Sequence, residues 1–381
     1  MRYLALLALL LASGCSSVSL NPLDWFAKDT RPKMAELPEL RASVPVRVLW
    51  QTNVGAAGSA VFSPAVAAGS VFAAAQDGTV VRIEAGGRQL WRVSAGQPLS
   101  GGVGADGSLA VVGTAEGEVI ALDGASGELR WRARVSSEVL SAPVVAGDLV
   151  IVRSADSRIF ALDARDGKRR WAYQRAAPAL SVRTPVGIAV TRGLVLAGFS
   201  GGKLVALALA NGALRWEATV AAPRGATELE RVTDVVGLPW VAEREACAAA
   251  YQGRVACFDL ANGSPLWARA MSSTTGLDAD ARLVFVGDEK GSVHALDRSG
   301  GSSVWTQDRL ARRGLTAPLA LGRQVAVGDV QGFVHLLARD DGSFVGRAAT
   351  DGSAIQANPV RLDNGFLVQT RGGGLYALST Q

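Results

Sequence analysis

The sequence has few of the residues that usually form catalytic or metal sites. It contains two histidines and three cysteines among 381 residues. Neither His294 nor His335 has a second histidine or cysteine at metal-ligand spacing. Phosphate-binding glycine loops, nucleophile elbows and HExxH motifs are also absent. The sequence therefore predicts no catalytic residue, no metal site and no cofactor.

Long apolar runs and blocks of one charge are missing as well. No apolar segment reaches the length of about 20 residues that a membrane-spanning helix needs. The net charge is +5, from 39 basic and 34 acidic residues that are mixed along the chain. Tight basic clusters occur only at 168–170 and 309–313. Because no aromatic residues are interleaved with them, we interpret both as solvated loops and predict no nucleic-acid partner.

What the sequence does contain is a repeat of about 40 residues. Seven of its nine tryptophans recur at intervals of 38 to 51 residues, at Trp50, Trp91, Trp131, Trp171, Trp216, Trp267 and Trp305. Several are preceded by the same phrase, Ala-Leu-Asp-x-x-x-Gly-x-x-x-Trp, as in 121–131 and 295–305. Each repeat divides into four short segments of alternating polarity. A period of this length is typical of a β-propeller.

The ends of the chain indicate how the ring closes. Trp50 precedes the first repeat, whereas the eighth repeat ends at Gln381 without a tryptophan strand. We predict an all-β fold, an eight-bladed β-propeller of four-stranded antiparallel blades over residues 45–381, closed by the N-terminal strand completing the last blade. Each indole is expected to pack on the neighbouring blade. Gly346 replaces the eighth tryptophan, which predicts a weaker contact between blades 7 and 8.

The N-terminus has the features of an export signal. Residues 1–14 combine one basic residue, an apolar core and small residues before Cys15. This ending resembles the cleavage box of bacterial lipoproteins, with Ala12 where that box most often has leucine. The resemblance implies that Cys15 is acylated and that the following Ser16 favours the outer membrane. Residues 15–44 contain three prolines and no steady period, so we predict a lipidated N-terminus and flexible tether there.

The two remaining cysteines, Cys247 and Cys257, flank a predicted hairpin turn. A cross-strand disulfide is possible in an oxidising compartment. The equivalent positions in other repeats are apolar, for example Val111 and Ala121. We therefore favour two buried free thiols over the bridge.

Three stretches outside the repeat phrase resemble the BamB lipoprotein family, the propeller subunit of the machinery that assembles β-barrels in the outer membrane. They are Ala-Thr-Glu-Leu-Glu-Arg-Val-Thr-Asp-Val at 226–235, Trp-Thr-Gln-Asp-Arg-Leu at 305–310, and Leu-Thr-Ala-Pro at 315–318 followed by Val-Gly-Asp at 327–329. The resemblance implies a non-enzymatic, lipid-anchored scaffold on the periplasmic side of the outer membrane. It also implies docking to the POTRA domains of the barrel-forming (BamA-type) subunit, assistance in folding and insertion, and contact with unfolded outer-membrane proteins as a further option.

Two alternatives remain. The repeat phrase also resembles quinoprotein (PQQ) propellers, which include quinone-dependent dehydrogenases, but this chain lacks the adjacent cysteines typical of those enzymes. The other alternative is a generic periplasmic scaffold or polysaccharide-binding propeller. That function would depend on side chains in the central funnel, for which Trp240 is a candidate.

Repeat lengths indicate one unusual surface. From a tryptophan to the proline that begins the next repeat is usually 12 to 14 residues, but from Trp216 to Pro239 it is 23. The insertion lies within 217–238. Connections between blades emerge on one face of a propeller, so we expect this loop to lie beside the preceding one, 172–184.

In the family that the sequence resembles, this pair of connections contacts the barrel-forming subunit. The candidate partner-binding residues here are Leu180, Val182, Arg183, Glu230, Arg231 and Asp234. Leu180 and Val182 would form an apolar anchor, and Arg183 and Asp234 would set orientation through charge-assisted hydrogen bonds. The alternative is that Arg183 and Asp234 pair with each other. The family often has an acidic residue two positions after Asp234, where this chain has Val236.

Overall fold

The computed structural model describes residues 33–40, 44–176 and 178–380. Of the two units into which the chain divides, the structure describes Met34–Gln381 as one compact unit. The predicted signal peptide, Cys15 and most of the predicted tether lie outside the described residues. Within the described residues every regular element is a strand, and no helix is long and apolar enough to cross a membrane.

The strands form eight four-stranded antiparallel sheets, which are the predicted blades. Blades 1 and 2 contain β2–β5 (Ala65–Ala67, Ser70–Ala74, Thr79–Glu84, Gln89–Ser94) and β6–β9 (Gly101–Ala105, Leu109–Gly113, Glu118–Asp123, Leu129–Arg134). Blades 3 and 4 contain β10–β13 (Val144–Ala146, Leu149–Ser154, Arg158–Asp163, Arg169–Gln174) and β14–β17 (Ile188–Thr191, Leu194–Phe199, Lys203–Ala208, Leu214–Thr219). Blades 5 and 6 contain β18–β21 (Val235–Val241, Glu245–Ala250, Arg254–Asp259, Pro265–Ala270) and β22–β25 (Leu277–Ala279, Leu283–Gly287, Val293–Asp297, Ser303–Gln307). Blade 7 contains β26–β29 (Leu319–Leu321, Gln324–Gly328, Phe333–Ala338, Phe344–Ala349), and blade 8 contains β30–β32 (Val360–Leu362, Gly365–Gln369, Gly374–Ser379) together with β1 (Arg47–Asn53).

The ring closes through its first strand. β1 pairs antiparallel with β32, from Arg47 opposite Ser379 to Asn53 opposite Gly374, so blade 8 has the order β1-β32-β31-β30. The predicted closure is therefore confirmed. Because the outer strand of blade 8 comes from the N-terminus and its other three strands come from the C-terminus, the ring has no unpaired terminal blade.

Tryptophan and glycine form one unit between neighbouring blades. Each of the seven recurring indoles donates its Nε1 hydrogen to a backbone carbonyl oxygen of the next blade, over 2.7 to 3.0 Å. The same indole covers a glycine of that blade. A Cβ atom on Gly212, for example, would lie 2.6 Å from Cε3 of Trp171. The repeated glycine is therefore the surface on which the indole packs, which confirms the structural role predicted for the tryptophans.

In blades 2, 3, 5 and 6 the repeated aspartate holds the hairpin that precedes this glycine. Asp163 accepts from the backbone N–H of Arg165 at 2.9 Å, and Asp259 accepts from that of Ala261 at 2.9 Å. Both carboxylates thus bond within their own turn, which is the role of a hairpin residue and not that of a metal ligand.

The boundary at Gly346 is built differently from the other seven. The N–H of Val44 donates to the carbonyl oxygen of Val345 at 2.5 Å, and a Cβ atom on Gly346 would lie 3.1 Å from the carbonyl oxygen of Val44. We expected a weaker contact here, but the chain's own N-terminal segment fills the place of the missing indole. Part of the predicted tether also contacts blade 7, because the N–H of Ala35 donates to the carbonyl oxygen of Ala311 at 3.0 Å.

The expectation of two free thiols is wrong. Cys247 and Cys257 are bonded as a disulfide. The hairpin register of β19 and β20 places them directly opposite each other, with their Cα atoms 4.1 Å apart. Both residues are buried, as their apolar counterparts in other repeats indicate.

The indole–glycine contact predicts a specific loss of stability. Gly212→Ala places a methyl group against Trp171, whereas Gly193→Ala has the same kind of left-handed backbone, with φ of +73° against +70°, and no neighbouring atom within 4 Å. Both variants should lose about 1 kcal/mol of the free energy of unfolding from backbone strain. Gly212→Ala should lose roughly 1–3 kcal/mol more from overpacking. Chemical denaturation measures the difference, and equal losses in the two variants would contradict the contact.

Candidate partner-binding site

The two predicted connections lie side by side. Connection 3–4 denotes residues 175–187 between β13 and β14, of which residue 177 is not described, and connection 4–5 denotes residues 220–234 between β17 and β18. The N–H of Val182 in the first donates to a carboxylate oxygen of Asp234 in the second at 2.6 Å. Val186 and Gly237 form a parallel bridge just beyond. The expected neighbourhood of the two loops is confirmed.

Asp234 is buried beneath the surface of this site, where it binds the backbone of neighbouring segments. It is 4 % exposed, and its carboxylate also accepts from the N–H of Gly201 at 3.2 Å. The buried guanidinium of Arg153 stacks over Phe199 at 4.8 Å from the ring centroid. Burial lowers the pKa of Arg153 to about 10, and the negative charge of Asp234 partly offsets that effect. Asp234 is therefore placed to hold connection 3–4 in shape, not to face solvent.

Arg183 has a partner that the sequence did not indicate. Its Nε and Nη2 donate to the two carboxylate oxygens of Glu138, over 3.1 and 2.6 Å. These hydrogen bonds raise the pKa of Arg183. The alternative pairing of Arg183 with Asp234 is wrong, because Asp234 accepts from backbone amides instead. Glu138 lies in the connection between blades 2 and 3. The one sequence signal for this pairing is that all connections between blades lie on one face of the propeller.

Beside Arg183 the surface is apolar. Leu180, Val182 and Leu229 are 46 %, 36 % and 71 % exposed. With Val232, Val236 and Tyr251 they line a groove of about 350 Å³. Exposed leucines at this density are uncommon on a solvated loop. We did not predict Leu229, although it is an apolar residue within an otherwise polar stretch of the insertion.

Glu230 and Arg231 have different surroundings. The carboxylate of Glu230 accepts from the N–H groups of Ala226 and Thr227, over 2.8 and 3.1 Å, and these bonds lower its pKa, that to Thr227 most strongly. In return, Thr227 Oγ1 accepts from the N–H of Glu230 at 3.2 Å, so Glu230 closes its own loop. Arg231 is exposed and pairs with Glu228 at 3.7 Å. Of these two candidates, Arg231 is therefore the one whose charged group faces outward.

Trp240, the candidate funnel residue, packs within the ring, and so does a group of possible metal ligands. Trp240 packs against the cluster between blades 5 and 6, with the guanidinium of Arg298 5.5 Å from its ring centroid. Across the described ranges, the one group of three metal-ligand side chains is Glu245, Cys247 and Cys257, and its two sulfur atoms are bonded to each other.

The position of Asp234 predicts which loop depends on it. Asp234→Ala leaves two partly buried amides without their acceptor, a loss of roughly 1–3 kcal/mol. The amide of Val182 should therefore exchange its hydrogen about tenfold to a hundredfold faster while the ring stays folded. Asp297→Ala is the matched control, since Asp297 also accepts from two backbone amides, those of Ser299 and Gly300, but in a distant hairpin. Unchanged exchange at Val182 in Asp234→Ala would contradict the positioning role.

Comparison with known proteins identifies the family. The model of "Outer membrane protein assembly factor BamB" matches residues 76–307. The protein of that name from Bordetella pertussis is 44 % identical over 372 residues, which cover 97 % of this chain and 94 % of the relative. The one from Nitrosomonas eutropha is 43 % identical over 390 residues, covering 100 % and 95 %. The crystal structure of BamB from Moraxella catarrhalis superposes with a TM-score of 0.81 at 32 % identity, covering 88 % of this chain and 100 % of that one. The chain belongs to the BamB family of outer membrane protein assembly factors.

Proposed function

We propose that the chain is a non-enzymatic scaffold subunit of the outer-membrane β-barrel assembly complex. It docks the periplasmic POTRA domains of the barrel-forming subunit through connections 3–4 and 4–5 and thereby assists the folding and insertion of outer-membrane proteins. Family membership supports the assembly role, since close relatives carry the name of outer membrane protein assembly factor. The observation that carries the docking surface is the exposed apolar groove beside an oriented arginine.

The groove supplies the energy of binding in this proposal. Leu180 and Leu229 both line the groove, and its volume of about 350 Å³ is large enough to accept an apolar side chain. Burying two such leucines in a protein interface stabilises the complex by about 1.5–3 kcal/mol each. Interface energy commonly concentrates in a few such anchors.

The charged groups supply the orientation. Glu138 fixes the guanidinium of Arg183 through two hydrogen bonds, yet most of that side chain stays exposed. A guanidinium held in one rotamer loses little entropy when it binds an acidic group of a partner. Arg231 adds a second outward cation close to the groove. We therefore infer an acidic rim around an apolar centre on the partner.

Location follows from the N-terminus in this proposal. Acylated Cys15 would hold the protein on the periplasmic side of the outer membrane, where the barrel-forming subunit presents its periplasmic domains. The disulfide between Cys247 and Cys257 is compatible with that oxidising compartment. Direct contact with unfolded outer-membrane proteins stays a prediction.

The docking surface predicts the outcome of a pull-down from detergent-solubilised envelope with the full-length protein. Leu180→Asp and Arg183→Glu should each reduce recovery of the barrel-forming subunit at least tenfold, because loss of a central contact commonly costs about 2 kcal/mol or more. Leu129→Asp is the matched control, since Leu129 is a comparably exposed leucine on the outer strand of blade 2. If all three variants retain the subunit equally, the interface lies elsewhere. If the unaltered protein fails to recover it, the proposed partner is wrong.

A further inference from the structure

An N-terminal strap runs along the outer strand of blade 7. The strap denotes residues 34–40 and 44–46, which precede β1. At one end the N–H of Ala35 donates to the carbonyl oxygen of Ala311, in the connection between blades 6 and 7. At the other end Val44 bonds to Val345 at the start of β29. The strap therefore descends the blade antiparallel to β29, from the face with the blade connections to the opposite face.

Two arginines of the ring hold this strap by its backbone. Arg313, only 2 % exposed, donates from Nη1 to the carbonyl oxygen of Ala35 at 2.8 Å. Arg347 donates from Nη2 to the carbonyl oxygen of Pro38 at 2.6 Å. Pro38 is buried and Leu40 packs against the apolar cluster between blades 6 and 7. Both polar and apolar contacts thus tie the strap to the ring.

The same arginines belong to a buried polar network. Arg313 Nε donates to Asp329 Oδ2 at 2.7 Å, and His335 Nε2 lies 2.9 Å from that same oxygen. Arg347 Nε donates to His335 Nδ1 at 3.4 Å, so His335 accepts there and is neutral. Arg313 thus bonds Asp329 directly, and Arg347 reaches it through His335. Arg313 Nη2 also donates to Gln331 Oε1 at 2.6 Å, and each arginine uses a further donor for a carbonyl oxygen of the strap.

Blade 6 shows what the network looks like without a strap. There Asp288 and His294 form the same pair at 2.9 Å, and Thr306 completes it with Oγ1 3.1 Å from His294 Nδ1. In blade 7 the position of Thr306 is taken by Arg347, whose longer side chain reaches the strap. The preceding position is Gly346 instead of tryptophan, which leaves room for Val44 and Val46. Arg347 and Gly346, the two residues that depart from the repeat here, therefore both contribute to the contact with the strap.

We propose that the strap is a clasp that fixes where the N-terminal tether leaves the ring, so that the membrane anchor draws the face with the blade connections toward the bilayer. The exit lies on the face that also carries connections 3–4 and 4–5. Lys33 follows Cys15 by 18 residues, and a chain of that length spans at most about 65 Å. Acylated Cys15 would therefore hold the start of the strap within this distance of the bilayer. The orientation rests on the proposed acylation of Cys15, whereas the clasp itself does not.

Hydrogen exchange on the full-length protein tests the clasp independently of any partner. Amides of Ala35 and Val44 should exchange at least tenfold more slowly than those of an unstructured peptide. Gly346→Trp inserts an indole into the space of Val44 and Val46 and should abolish that protection while the ring amides stay protected. Gly300→Trp is the matched control, because Gly300 is exposed with no atom within 4 Å, and it should keep the protection. Fast exchange of the strap in the unaltered protein, or full protection in Gly346→Trp, overturns the proposal.

If Gly346→Trp fails to fold, Arg347→Met serves instead. It removes the hydrogen bond to Pro38 from a half-buried side chain and should speed strap exchange without opening the ring. No change in strap exchange would then overturn the role of Arg347.

Energy transfer in vesicles of phosphatidylethanolamine and phosphatidylglycerol tests the orientation. A donor dye is attached to the acylated protein at Glu228→Cys in connection 4–5 or at Asp166→Cys in a hairpin on the opposite face, and the acceptor dye is in the lipid. The two sites should differ in transfer efficiency, and Gly346→Trp should reduce the difference at least twofold. Equal efficiencies in the unaltered protein contradict this orientation. This result is independent of whether the barrel-forming subunit binds.

Discussion

The structure depends most on the contact between an indole and the glycine of the next blade. A flat ring can approach a backbone that has no Cβ atom, and the indole nitrogen then reaches the carbonyl oxygen beyond it, as Trp171 does with Gly212 and Leu209. Seven such contacts join the blades in the described residues. Because each buries a large aromatic surface and also directs a hydrogen bond, it fixes the angle between blades. The loops on the connection face are therefore displayed from a rigid support.

This constraint explains why so much of the fold could be predicted. Spacing alone identified the repeat, and the unmatched Trp50 identified the strand that closes the ring. The prediction failed where a contact depends on the chemistry of one residue pair or on a segment outside the repeat. Cys247 and Cys257 occupy apolar positions of the repeat, so the pattern favoured free thiols, whereas the hairpin register brings their sulfur atoms together. At Gly346 the pattern indicated a lost contact, because it contained no information about the N-terminal segment that fills it.

In the candidate site, too, the features that follow from the repeat could be predicted, and those that depend on three-dimensional placement could not. The long interval before Pro239 identified the inserted loop, and Leu180 and Val182 are exposed beside it as expected. The polar partners depend on three-dimensional placement. Asp234 is a charged residue within a loop, which usually means a solvated side chain, but Val182 and Gly201 direct their amides at it from neighbouring segments. The interval between repeats located the site, and only the fold determined which of its charged groups hold the loops and which face outward.

In this account, a rigid ring presents an apolar groove and oriented cations to the barrel-forming subunit. Site-specific photo-crosslinking in intact cells tests that claim most directly. A photoreactive residue replaces Leu229 in connection 4–5 or, in a second variant, Leu266 on the outer strand of blade 5, since both side chains are exposed. The account predicts covalent capture of the barrel-forming subunit from position 229 and not from position 266. Capture from position 266 alone would contradict it.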